Sequence, residues 1–226
     1  LYEYGIDREN IYIVSNTEDT ATFNTDTINI DPSITRRYIN HTVISYIGGM
    51  GPHRGIDTVI RAMPFIKREI GNIIFLIVGA RESDKQRIRN LCGDYQVTKT
   101  VHVIGWQPFD KIISYISLSD ICLVPHNKNE HTDTTIPHKL FQYMICGKPV
   151  LVSNCIPLKR IVENSKCGKV FVSGDALSFA NNTIEIIQNR NLMKIMGLNG
   201  KISALTKYSW QKDSKNLLKL YTKVVN

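Results

Sequence analysis

Residues 42–70 read TVISYIGGMGPHRGIDTVIRAMPFIKREI. A strand-like apolar run (42–48) meets a cluster of glycines. It then passes into 55–70, where apolar residues recur at three and four as on one helix face. The same succession repeats down the chain. NIIFLIVG (72–79) precedes ESDKQRIRNLC, TVHVIGW (100–106) precedes PFDKIISYISLS, and DICLVP (120–125) precedes the helical pattern within HTDTTIPHKLFQYMICG. KPVLVSN (148–154) precedes IPLKRIVEN, and GKVFVS (168–173) precedes DALSFANNTIEIIQN. Six strand-then-helix units with short connections predict an α/β fold: a Rossmann-like parallel sheet with helices on both faces. IIFLIV and ICLVP are apolar throughout, as strands buried on both sides should be. Two helical patterns, 191–206 and 210–225, finish the chain.

The first forty residues differ in kind. NIYIVSNTEDTATF reads as a strand and a turn, and the Thr- and Asn-rich stretch to about Asn40 reads as a linker. The main domain is expected over 41–226. The chain starts at Leu rather than Met, so a fragment of a longer protein is expected.

At 226 residues and 42% hydrophobic composition, the chain is long enough and apolar enough for a packed core. No apolar run approaches the roughly 20 residues of a membrane span, and LYEYGIDREN is unlike a signal peptide. The five cysteines form no CxxC pair and sit mostly in apolar runs, which favours reduced thiols and a cytoplasmic setting. Net charge is +8, and the excess lies late: from residue 176 onward, eight Lys or Arg stand against Glu185 and Asp213. A solvated helix face explains this, and so does an anionic membrane surface. No aromatic-and-basic motif points to nucleic acid.

In such sheets, ligands bind where the loops leave the carboxyl ends of the strands. GGMGPHRG (48–55) lets the backbone turn tightly at Gly48, Gly49 and Gly51, and Arg54 stands ready to pair with a phosphate oxygen. It is neither a Walker A loop nor GxGxxG. In GWQPFDK (105–111), Trp106, Gln107 and Phe109 could line a nucleobase pocket, although the preferred reading makes Trp106 ordinary core. In the third loop, Thr134 or Thr135 could cap a helix whose first turn holds Ile136, Pro137, His138 and Lys139. Two cations at a helix start are unfavourable unless an anion balances them, which hints at a ligand. His126, His131 and His138 fit no zinc spacing, so no metal is expected. No nucleophile signature is present.

Taken together, YIGGMGPHRGIDTVIRAM, IIFLIVG, VHVIGWQP, SDICLVP, TTIPHKLFQYMICGKPVLVS, GKVFVS and KYSWQKDSKNLLKLY resemble the C-terminal half of family 4 (group 1) glycosyltransferases of the GT-B fold. The match runs from about residue 42 to the end. GIDRENIYIVSNTEDTATF resembles the last strand of the family's N-terminal, acceptor-binding domain and the hinge after it. The resemblance implies a nucleotide-diphospho-sugar donor, retention of configuration, no cofactor and no metal. A glycan or lipid-linked acceptor would bind in the preceding domain, toward which the final helices cross back. Arg54 and Lys139 would neutralise the leaving diphosphate. Work at the inner face of the membrane fits the basic final helices.

This sequence also departs from the family. An arginine usually follows the glycine ending the first strand, and a lysine precedes the next glycine; here they are Gly49 and Arg54. Two glutamates usually stand eight residues apart around the helix after strand four; here they are Thr134 and Gln142. Gln142 can still bond ribose hydroxyls, and Lys139 is expected to offset the missing arginine. Two other readings keep the fold: a non-catalytic binding or regulatory member, and a nucleotide-sugar epimerase-like enzyme. The fragment alone is not expected to transfer sugar, because the cleft needs both halves.

Overall fold

The computed structural model describes residues 2–23 and 30–225, and in it every one of the six apolar runs becomes a strand. A short helix, α1 (Pro32–Arg36), precedes the sheet. β1 (Thr42–Ile47) leads through a 3-10 turn at Pro52–Arg54 into α2 (Ile56–Glu69). Then follow β2 (Ile73–Val78), α3 (Glu82–Asp94), β3 (Val101–Ile104) and α4 (Phe109–Ser117). The second half repeats the pattern with β4 (Ile121–Val124), α5 (Lys139–Ile145), β5 (Val150–Ser153), α6 (Ile156–Ser165), β6 (Gly168–Phe171) and α7 (Ala176–Gln188). α8 (Arg190–Thr206) and α9 (Trp210–Val225) close the chain.

The strands form one parallel sheet in the order β3-β2-β1-β4-β5-β6. Successive side chains on a strand point to opposite faces, so each central strand feeds two cores. Val43, Ile74, Leu76, Val124, Val150 and Val152 pack with α4, α5 and α6. Ile44, Tyr46, Phe75, Ile77, Leu123 and Leu151 pack with α2, α3 and α7. Burial on both faces accounts for the absence of alternation in IIFLIV and ICLV.

The chain builds outward from β1 through β2 to β3, then returns to the other edge of β1 with β4. At that reversal the loops after β1 and β4 part to opposite faces and open a crevice. Their bases nonetheless touch. Gly55 has φ +66°, and a Cβ there would lie 1.7 Å from the Pro125 carbonyl oxygen. Only glycine permits both the left-handed turn and that approach.

The N-terminal strip departs from its sequence reading. Residues 11–17 form no ladder, and an isolated bridge joins Glu18 to Ser209. A strand needs a neighbour for its backbone groups, and among the described residues none runs beside it. The stretch read as a linker to Asn40 contains α1, where the Asp31 carboxylate accepts from the Ser33 N–H and pairs with Lys111. Residues 24–29 of that stretch lie outside the described residues.

Gly55→Ala is expected to cost about 3 kcal/mol or more, from left-handed strain and overpacking against Pro125. Urea unfolding of the variant measures it; a cost under about 1 kcal/mol contradicts the close approach.

Candidate functional site

The loops after β1, β2, β3 and β4 meet over the crevice. Gly48, Gly49, Ala80, Arg81, Trp106, Gln107 and Phe109 line a cavity of about 400 Å³ there. Trp106 is 77% exposed, so the reading that placed it in the core is corrected. The physical reason is that β3 ends at Ile104, and Gly105 carries the indole off the sheet before it can pack. Phe109 stands on the same wall and meets the Phe23 ring edge-on, with centroids 5.9 Å apart. Gln107 is turned inward, where its side-chain oxygen accepts from the Tyr115 hydroxyl at 3.3 Å.

Lys139 lies against Gly48, one of the residues that line this cavity. A Cβ on Gly48 would lie 2.6 Å from Lys139 Nζ, and the ammonium sits 3.7 Å from the centroid of the Tyr46 ring. The ring's negative face attracts the cation. Among the described residues no hydrogen-bond acceptor meets Nζ, although the atom is buried. Burial, then the charge on Arg54, push its pKa well below the ordinary lysine value.

Arg54 lies in the 3-10 turn ahead of α2, where its Nη1 donates to His126 Nε2 at 3.0 Å. A guanidinium only donates, so Nε2 must be the unprotonated nitrogen and His126 must be neutral. Burial, then Arg54, hold the His126 pKa down at about 3, with smaller effects from Lys139, His53 and His131. His53 completes the cluster, its ring 6.1 Å from His126 and 5.5 Å from His131. Burial, Arg54 and His131 depress its pKa too. All the charges acting on His126 and His53 are basic groups. Such a place favours an anion.

The loop after β4 is held firmly against its neighbours. The Asn127 N–H donates to the His53 carbonyl at 2.9 Å, and its side chain to the Pro52 carbonyl at 3.0 Å. The Ile156 N–H donates to Asp133 Oδ1 at 2.9 Å. Thr134 and Thr135 serve this loop rather than α5: their hydroxyls donate to the His131 carbonyl at 3.0 and 2.9 Å. The expectation that one of them caps the helix is therefore corrected, because nearer carbonyls take their hydroxyls. α5 begins at Lys139 and has no side-chain cap at His138. Ile136 packs at the margin of one core, and the Pro137 carbonyl accepts from the Leu140 N–H at 3.1 Å.

His138 and Gln142 face elsewhere. His138 Nε2 lies 3.2 Å from the Thr17 carbonyl and 3.5 Å from Glu18 Oε2. Gln142 donates to that same Glu18 oxygen at 2.8 Å. The two basic side chains at the start of α5 thus differ: the Glu18 carboxylate lies beside His138, and among the described residues no acceptor meets Lys139 Nζ. Gly51 lies beside the His53 ring, on the wall of a smaller cavity with Pro52, Asp57 and Arg87.

His126 and His131 both lie against the His53 ring, while His138 lies apart beside Glu18, so the three do not meet at one point. Among the described residues no cluster of His, Cys, Asp or Glu could hold a metal ion. Sequence reasoning passed over Tyr46, His53, Arg81 and Glu18. Arg81 had a signal, because it follows a glycine at the end of an apolar strand just as the flagged β1 loop does. Glu18 had none, being more than a hundred residues from Gln142.

Lowering the pH below 6.5 is expected to destabilise the protein. His126 is protonated near 6.5 when unfolded but only near 3 when folded. The unfolded state therefore binds more protons in that window, and stability falls as pH falls. The loss is up to about 1.4 kcal/mol for each pH unit. Denaturant titrations of wild type and His126→Gln from pH 7.5 to 4.5 measure it; identical slopes contradict a buried neutral His126.

The sequence model of the family described as "Glycosyl transferases group 1" matches residues 29–203. An uncharacterized glycosyltransferase of Methanocaldococcus jannaschii is 24% identical over 201 residues, covering 89% of this chain and 50% of that protein. A glycosyltransferase structure from Rickettsia africae superposes with TM-score 0.81 at 16% identity, over 99% of this chain and 59% of the other. Anabaena HepE in complex with UDP gives TM-score 0.80 at 15% identity, over 98% of this chain and 60% of the other. The chain spans about half the length of the curated relatives it matches.

Proposed function

On the premise that the chain belongs to the group 1 glycosyl transferases, we propose that it is the half of such an enzyme that holds the nucleotide-diphospho-sugar donor. The transfer it serves would retain anomeric configuration, need no metal, and deliver a hexosyl unit to a glycan or lipid-linked acceptor. Residues 1–40 would be the end of an acceptor-binding domain and its hinge. The observation that carries this reading is the buried Lys139 ammonium with no acceptor, beside Gly48 and near Arg54. A diphosphate would supply the missing negative charge to both side chains, which is what a leaving nucleoside diphosphate demands of a site without a metal. The cavity against Trp106 and Phe109 offers aromatic faces to a base. HepE, which shares the fold, is described in complex with UDP and with UDP-glucose.

A specific observation favours the second reading, a non-catalytic donor-binding member. Gln142, the position where a carboxylate is expected, is already engaged by Glu18, and Thr134 is turned into its own loop. A protein that binds a nucleotide diphosphate yet consumes no sugar donor, when tested at full length, fits that reading.

Calorimetric titration with UDP, GDP, ADP, dTDP and CMP tests the donor site. One diphosphate is expected to bind at least tenfold more tightly than CMP. Lys139→Ala should weaken it at least tenfold while leaving the fold intact. An anion meeting Nζ raises the depressed lysine pKa, so at pH values above that of the free group binding should take up protons and weaken as pH rises. Repeating the titration in buffers of different ionisation enthalpy reads that uptake. Unchanged affinity in Lys139→Ala sinks the assignment.

A further inference from the structure

We propose that the outer face of α8 docks this protein on an anionic lipid surface. Ile195, Leu198, Ile202 and Leu205 are 56, 60, 50 and 46% exposed. Their spacing of three, four and three sets them in one stripe along the helix. Met196, Gly197, Gly200 and Ala204 form the opposite, buried stripe. α8 is therefore apolar on two sides. The inner side packs against Gly147 and Cys167, and among the described residues nothing covers the outer one. Scattered exposed leucines need no explanation, but four branched apolar residues in helical register form a surface.

The charges beside the stripe identify its occupant. Arg190 and Lys194 are exposed, and with Lys201 they fall on one flank. Asn199, Ser203 and Thr206 occupy the other flank, and α8 contains no acidic residue. A second copy of this chain would bring the same basic flank and no carboxylate in α8 to meet it. Anionic headgroups supply the complement, while the apolar stripe enters the acyl boundary, as in helices that lie in the membrane interface. No helix among the described residues is long and apolar enough to cross a membrane. α8 would thus lie flat along its length of about 25 Å.

The placement of α8 fixes an orientation. The helix runs beneath the amino ends of the strands: Arg190, Met193 and Lys194 share a cleft with Thr42 and Asp120, just ahead of β1 and β4. The loops bearing Arg54, Trp106 and Lys139 leave the opposite ends. Docked on α8, the protein turns those loops away from the lipid. If the donor reading holds, on which this last step rests, the acceptor is a saccharide end that stands off the surface.

Sedimentation of the full-length chain with vesicles tests the docking. Binding is expected to phosphatidylcholine vesicles containing phosphatidylglycerol, to weaken with salt, and to be at least tenfold lower for phosphatidylcholine alone. Leu198→Glu with Ile202→Glu should reduce binding at least tenfold, and Arg190→Gln with Lys194→Gln should flatten its salt dependence. Calorimetric titration of each variant with UDP is run in parallel. Wild-type heats in a variant show an intact fold, and a wild-type chain that binds vesicles but no nucleoside diphosphate removes the donor reading alone. Indifference to phosphatidylglycerol overturns the proposal, as does undiminished binding by the glutamate variant. So does a wild-type dimer in solution that the glutamate substitutions dissociate, because the stripe is then an interface between copies.

Discussion

The contact between Gly55 and the Pro125 carbonyl is the constraint on which the rest depends. It joins the backbone leaving β1 to the backbone leaving β4 at the point where the strand order reverses. With that contact made, Asn127 can bond both Pro52 and His53, and Arg54 can reach His126. The crevice between the two loops then has rigid walls before any ligand arrives. Preorganisation of this kind matters most where like charges are held together, since a loose site would simply let them separate.

Charge at the mouth of the sheet is handled in two ways. His126 sheds its charge, and its neutral nitrogen accepts from Arg54. Lys139 instead stacks on Tyr46 and finds no acceptor among the described residues, at a cost in desolvation that an aromatic face only partly offsets. The local rules of helix design are broken at the first residue of α5, while the residue before it, His138, lies beside the Glu18 carboxylate. That asymmetry separates a side chain that the fold partners from one that the described residues leave unpartnered.

The architecture was legible in the sequence because a buried parallel strand leaves a signal within itself. IIFLIV can be little else, and the glycine after it marks where the chain turns. The candidate site was legible one loop at a time: Gly48 and Arg54 stand out within the loop after β1, and Lys139 at the start of α5. It was illegible where partners are remote. Nothing around Thr17–Asp19 shows that this segment will lie on α5, and residue type alone placed Trp106 in the core when the end of β3 puts it in solvent. The threonines at 134 and 135 were misjudged for a different reason. A hydroxyl bonds the nearest free carbonyl, and the tightness of the turn at 129–135 cannot be read from its composition.

The strip at Thr17–Thr20 is bonded on two sides. Glu18 holds Gln142 of α5, while its carbonyl accepts from Trp210, and Thr17 bonds Asp213 of α9. Tension along the backbone from the amino-terminal side would therefore reach the first turn of α5 before it reached any strand. The Thr17 carbonyl lies 3.2 Å from His138 Nε2, so the strip touches α5 one residue away from Lys139. A displacement of the strip would thus be felt first beside a single buried side-chain nitrogen, that of Lys139.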